Sequence, residues 1–276
     1  MMYTYQRRYA GPLQAVILDL AGTCVDFGSL APIQAFQALF AAEGVAITQA
    51  EAREPMGKEK REHIEALLAM PRIAEAWLAV KGFAPTTEKV DQMYRDFVQY
   101  QLAAIRQNNR VIPGLDDLVS YCDEENIDIG VNTGYSREMI AELLPTLAEQ
   151  GFKPLSVVCA TDVPAGRPFP WMALKNAKDL AVSCVQACVK VDDTAVGIEE
   201  GLNAGMWTVA VAVSGNQVGL SQQDWLALSE AEQQAKRIAA HQALSQSGAH
   251  YVIDSVQELP EVLEEIGFRL AGAEQP

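Results

Sequence analysis

Six short apolar runs punctuate the chain: QAVILD at 14–19, IDIGVN at 127–132, LSVVCA at 155–160, ACVKVD at 187–192, WTVAVA at 207–212 and AHYVI at 249–253. Each has the length of a strand, and most are apolar on both faces, the pattern of strands buried between two layers. Between the later runs, apolar positions recur with a helical period at 136–150, 170–181, 195–204 and 255–266. Strands alternating with helices predict a parallel sheet covered on both sides. The interval 28–107 breaks this rhythm. It carries helix-like stretches at 31–43, 49–54, 58–69, 72–81 and 87–106 and no strand, so it reads as a helical segment inserted after the first strand. A polar, Gln- and Ala-rich stretch at 229–247 predicts a surface helix. The expected architecture is α/β: a doubly wound, Rossmann-like parallel sheet built from 1–27 and 108–276, with a helical cap at 28–107.

Composition narrows the function. With 276 residues, 49% of them hydrophobic and 21% charged, the chain has ample material for its own core. No apolar run approaches the roughly 18–20 residues that span a bilayer, so no membrane role is expected. The opening MMYTYQRRYAGPLQ lacks the apolar stretch of a signal peptide. The five cysteines (Cys24, Cys122, Cys159, Cys184 and Cys188) form no CxxC pair and read as reduced thiols of a cytoplasmic protein. A net charge of −15 argues against nucleic acid as a partner. An anionic small molecule remains possible, provided a metal ion and a few local cations offset that field.

Ligands of such sheets bind beyond the carboxyl ends of the strands. Polar residues end the runs at Asp19, at Asn132 and Thr133, and at Asp192 and Asp193. Taken singly, each is an ordinary strand-end or helix-cap residue. No G-x-G-x-x-G follows the first run, and there is no Walker A loop, so dinucleotide and P-loop chemistry are not indicated.

The stretch Asp19-Leu20-Ala21-Gly22-Thr23 resembles the first motif of the haloacid dehalogenase superfamily, in which a strand-ending Asp is a nucleophile. Thr133-Gly134-Tyr135, Arg167 in GRPFPWM and Asp193 after KVD match the later motifs in order. A carboxylate suits both tasks implied, since it coordinates a hard cation and attacks phosphorus. The resemblance implies that Gly22, Thr23, Thr133, Gly134 and Arg167 bind the phosphoryl group. It also implies that Asp19, the Ala21 carbonyl and Asp193 hold Mg2+. Two positions depart from the superfamily pattern. Ala21 stands where most of its phosphatases carry a second Asp as general acid and base. Asp192 and Gly197 stand where a glycine and a further acid are common, which makes Asp192 a candidate for the outer layer of the metal site.

Within 28–107, the run Pro55-Met56-Gly57-Lys58-Glu59-Lys60-Arg61-Glu62-His63 is similar to the signature of the phosphonatase family, and the likeness extends from Leu13 to about Leu270. It implies hydrolysis of the C–P bond of phosphonoacetaldehyde to acetaldehyde and phosphate, within phosphonate catabolism. Lys60 would form a Schiff base with the aldehyde, His63 and Tyr135 would shuttle protons, and Met56 would pack beside the imine. Lys58 is a rival for the amine on sequence alone. A lysine nucleophile needs its pKa lowered from about 10.4 toward neutrality. A homodimer formed through the cap is also implied. Two alternatives stay open here: a related hydrolase acting on another phosphonate or on a phosphate ester, and a catalytically dead anion-binding protein. His241 and His250 have no motif context, and Cys24 reads as a packing residue.

Overall fold

The computed structural model describes residues 8–276. The first seven residues, which belong to the expected core segment 1–27 and to the amino-terminal stretch read above, lie outside the described residues. In chain order the elements are β1 (Ala15–Leu18), α1 (Leu30–Ala42), α2 (Gln49–Arg53), α3 (Lys60–Ala69), α4 (Pro71–Lys81), α5 (Thr87–Gln107), α6 (Leu115–Glu125), β2 (Asp128–Thr133), α7 (Arg137–Glu149), β3 (Ser156–Cys159), α8 (Trp171–Asp179), β4 (Cys188–Asp192), α9 (Ala195–Ala204), β5 (Trp207–Val211), α10 (Gln222–Ala227), α11 (Glu230–Ser245), β6 (Tyr251–Ile253) and α12 (Leu259–Ala271).

The six strands form one parallel sheet in the order β3-β2-β1-β4-β5-β6. The order reverses direction at β1, so the crevice between the ends of β1 and β4 is the topological switch point. Every residue of β1, β4 and β5 is buried, as their two-faced apolar runs require. The surface helix expected at 229–247 is α11, in which only Ala240 and Leu244 are buried. Two helices went unforeseen, α6 and the six-residue α10.

Helices α1 to α5 all fall between β1 and β2. Their own core includes Phe36, Phe40, Trp77 and Phe97, all fully buried. The Phe36 ring stacks on His63 at 3.8 Å and on Phe97 at 4.5 Å between centroids, tying α1, α3 and α5 together. The two chain segments leading in and out of this insert are paired. Val25 bridges Val111 in antiparallel fashion, the Asp26 N–H donates to the Arg110 carbonyl (3.0 Å), and the Ile112 N–H donates to the Cys24 carbonyl (2.8 Å).

The insert also touches the sheet domain at two tight points. Gly57 has φ +91°, and a Cβ there would lie 2.4 Å from Val196 Cγ2 and 2.7 Å from Thr194 Oγ1, so only glycine lets the α2–α3 loop sit on the start of α9. Arg53, the last residue of α2, donates to the Gly28 carbonyl (2.9 Å), the Gly219 carbonyl (2.9 Å) and Asn216 Oδ1 (3.0 Å).

Candidate active site

Asp19 follows β1 directly. Its N–H donates to the Val191 carbonyl (2.9 Å), and its carbonyl accepts from Cys24 Sγ (3.0 Å), which gives that buried thiol a packing and anchoring role. The register that pairs Leu18 with Val191 sets Asp19 beside Asp192 and Asp193. Carboxylate oxygens of the three acids lie within 4.8 Å of one another, and all three residues are buried. Burial raises the Asp193 pKa well above the usual carboxylate range, and the neighbouring Asp19 and Asp192 push it the same way. The Asp19 pKa is also raised by burial, against the pull of Arg167.

The three acids are not equivalent. Asp192 Oδ1 accepts from the Thr194 N–H (3.0 Å) and hydroxyl (2.7 Å), while its Oδ2 meets Lys190 Nζ at 2.7 Å and Arg167 Nη2 at 3.0 Å. Both of its oxygens are thus committed. Asp193 Oδ2 accepts from the Asn216 N–H (2.7 Å), and Asp19 Oδ1 accepts from Arg167 Nη2 (2.6 Å). Among the described residues, Asp193 Oδ1 and Asp19 Oδ2 accept no hydrogen bond. Ala21 lines the same cavity. The turn it begins uses the Leu20 carbonyl and the Gly22 N–H, not the Ala21 carbonyl. Two carboxylate oxygens without donors, one free carbonyl and mutual repulsion form a hard-oxygen donor set suited to a divalent cation.

A small cavity over these acids is lined by Asp19, Ala21, Thr133, Gly134, Arg167 and Asp193 from the sheet side, and by Met56, Gly57, Lys58 and Lys60 from the insert, with Tyr135 at its edge. The Thr133 side chain accepts from the Tyr135 N–H (3.1 Å), which leaves its own hydroxyl proton available. Lys60 is the first residue of α3. Glu59 caps the helix by accepting from the Arg61 and Glu62 N–H groups. The Lys60 side chain is buried, with Nζ 5.7 Å from the Tyr135 ring centroid and 5.8 Å from that of Phe36. Burial lowers its pKa to about 8; Arg167 adds to the shift and Asp19 opposes it. Lys58, the rival on sequence, is exposed.

His63 lies beneath, one turn along α3 and fully buried. Its Nε2 is 2.9 Å from the Ala52 carbonyl, an acceptor only, so Nε2 carries the proton and Nδ1 keeps its lone pair with no partner. Burial and the nearby Lys60 hold the imidazole pKa well below its usual value, which keeps the ring neutral.

The resemblance implies a place at the phosphoryl group for Gly22 and Thr23, and the structure puts both in the tight turn after Asp19. Gly22 and Thr23 do not line the cavity. Their N–H groups are used within the turn, donating to the Val25 and Leu20 carbonyls, and the Thr23 hydroxyl is buried without a partner. The role of Gly22 is to make room: it has φ +88°, and a Cβ there would stand 2.2 Å from Asp193 Oδ2. His241 and His250 lie away from the site, bonded to Asp254 (2.7 Å) and to Thr208 (2.8 Å).

Reasoning from sequence missed Glu200, fully buried on α9. It accepts from Arg167 Nε (3.1 Å), from Asn132 Nδ2 (3.0 Å) and from the Ala173 N–H (3.1 Å). A glutamate on the apolar side of a helix is the one signal that could have found it.

The haloacid dehalogenase-like hydrolase family matches residues 13–205. The chain is similar to the phosphonoacetaldehyde hydrolase of Hahella chejuensis, 53% identical over 276 residues, covering 100% of this chain and 94% of that one. It is similar to that of Paraburkholderia phytofirmans as well, 49% identical over 264 residues, covering 96% and 99%. The crystal structure of a phosphonoacetaldehyde hydrolase-like protein from Oleispira antarctica superimposes with a TM-score of 0.98 at 51% identity, covering 100% of both chains.

Proposed function

The chain belongs to the haloacid dehalogenase-like hydrolases, within them to the phosphonoacetaldehyde hydrolases, and from that premise we propose that it converts phosphonoacetaldehyde and water into acetaldehyde and phosphate. The observation that carries this reading is a buried lysine, Lys60, lining the same cavity as Asp19 and Arg167. A phosphate-ester hydrolase has no use for an amine there, and it would need a proton donor where Ala21 stands.

The division of labour runs as follows. Neutral Lys60 Nζ attacks the aldehyde carbon, and loss of water leaves a protonated imine. The Nδ1 lone pair of His63 and the Tyr135 hydroxyl are the groups that move protons in this step, and the Met56 side chain packs against the carbon chain. An Asp19 carboxylate oxygen then attacks phosphorus. The C–P electron pair moves into the iminium, so an enamine leaves rather than a bare carbanion. Protonation of the enamine carbon and hydrolysis release acetaldehyde and free Lys60, and water hydrolyses the aspartyl phosphate. Arg167 and Thr133 hold the phosphoryl oxygens. Asp19, the Ala21 carbonyl and Asp193 are the residues that would hold Mg2+, which supplies charge compensation for the phosphoryl group. The cap comprises 28–107, and its closure over the sheet excludes water. We assign the protein to the cytoplasm, a reading that its five free cysteines support. Pairing of two copies through the cap is supported by the exposed Leu78, Val80 and Phe83 on and just after α4.

The test is reductive trapping. Borohydride added during turnover should inactivate the enzyme and leave a two-carbon adduct on Lys60, located by peptide mass spectrometry. Lys60→Arg should lose both labelling and turnover, because guanidinium does not become a neutral amine at working pH. Lys58→Arg should keep most activity. A label on Lys58, or normal turnover with no label, would defeat the assignment.

A further inference from the structure

Arg167 is almost wholly buried, and its three nitrogens are used unequally. Nε donates to Glu200 Oε2 (3.1 Å). Nη2 reaches Asp192 Oδ2 (3.0 Å), Asn132 Oδ1 (3.1 Å) and Asp19 Oδ1 (2.6 Å). Among the described residues Nη1 makes no hydrogen bond, and Arg167 lines the cavity. The guanidinium is therefore gripped along one edge and presents the other.

The groups that grip it are themselves fixed from behind. Asn132 Nδ2 spans both oxygens of Glu200 (3.0 and 3.1 Å), and the Ala173 N–H holds Oε1 (3.1 Å). Lys190, buried within β4, balances the second carboxylate at 2.7 Å from Asp192 Oδ2. Gly197 completes the seat, because a Cβ there would lie 1.9 Å from Asp192 Cγ. A planar guanidinium held by carboxylates at both Nε and Nη2 of one edge has little rotational freedom left.

We propose that Glu200 and Asp192 are positioning residues that clamp Arg167 through Nε and Nη2, so that its Nη1 edge is set in advance to receive the phosphoryl oxygens. Neither carboxylate touches substrate; both act through the arginine. The inference rests on the reading that Arg167 binds the phosphoryl group, and it separates that half of the site from the aldehyde half at Lys60.

Two binding measurements at saturating magnesium test it. One is the affinity for inorganic phosphate. The other is borohydride trapping of acetaldehyde on Lys60, which needs no phosphoryl contact. Glu200→Gln and Asp192→Asn should each weaken phosphate binding by roughly ten- to a hundredfold, the scale of a lost charge-assisted hydrogen bond. Trapping of acetaldehyde should stay at the parent level. Unchanged phosphate affinity in both variants overturns the clamp. Equal loss of phosphate binding and trapping also overturns it, since the residues would then only hold up the fold. If Glu200→Gln does not fold, Glu200→Asp keeps the charge, shortens the arm and is read by the same criteria. A parent enzyme that binds phosphate but traps no acetaldehyde would reject the C–P cleavage reading instead, and the phosphate arm alone would then decide the clamp.

Discussion

Lys60 must shed its proton before it can attack an aldehyde, and its burial brings that event to about pH 8. The sign is fixed by the chemistry: the ammonium form is inert, so imine formation should rise with pH and level off above about 8. The rate of borohydride-dependent labelling by acetaldehyde, measured across pH, reports this directly. A profile that stays flat from pH 6 to about 9 would show that Lys60 is already neutral or is not the amine. The acids make a second prediction at this scale. Asp193 Oδ1 is free to bind a cation, whereas both oxygens of Asp192 are committed. In a magnesium titration, Asp193→Ala should raise the half-saturating concentration by roughly a hundredfold or more, and Asp192→Ala by less. Asp192→Ala should lower thermal stability instead. It strands the buried Lys190 charge, a loss on the order of 3–5 kcal/mol. The reverse ranking in the titration would move the metal ligand to Asp192.

Elements were legible wherever burial imposes a period. The strands were visible because most of their residues are buried, which makes their runs apolar, and the longer insert helices α1, α3, α4 and α5 because each buries apolar residues at helical spacing; α2, five residues long, buries only Ala52. Helix α6 escaped notice although Leu115, Leu118 and Cys122 share one buried face; the acids around them, Asp116, Asp117, Asp123 and Glu124, blur the stripe. Helix α10 is too short for any period to show and buries only Trp225. The cavity-lining residues of the candidate site were legible where a strand end or a motif announced them, as at Asp19, Thr133, Arg167, Asp193 and Lys60. Glu200 and Asn216 were not, because their value lies in partners far along the chain: Glu200 with Arg167 and Asn132, Asn216 with Arg53 and Asp193. Nor does a local motif reveal which of its members face the cavity. Gly22 and Thr23 sit in the same motif as Asp19, yet a tight turn directs them inward.

Across the whole molecule, Arg53 joins the insert to the loop that steadies Asp193. Its Nη1 donates to Asn216 Oδ1 (3.0 Å), and the Asn216 N–H donates to Asp193 Oδ2 (2.7 Å). Arg53→Ala should therefore loosen both at once. Faster hydrogen–deuterium exchange is expected at 27–29 and 214–220, with a fall in kcat larger than any change in the affinity of Lys60 for acetaldehyde. Parent-like exchange in those segments would rule out Arg53 as a link between insert and sheet. The paired segments around Val25 and Val111 have a different consequence, for folding. The β1–β2 pair must join Ala15 to Asp128, a separation that makes their contact slow to find. Once the insert has folded and clasped its two ends together, the span that remains to be closed is only a short stretch on either side. Loop-closure entropy changes by about 0.6 kcal/mol per halving of length, so the clasp eases that search by roughly 1 kcal/mol or more. The insert would thus serve, during folding, as the staple that brings the first two strands of the sheet together.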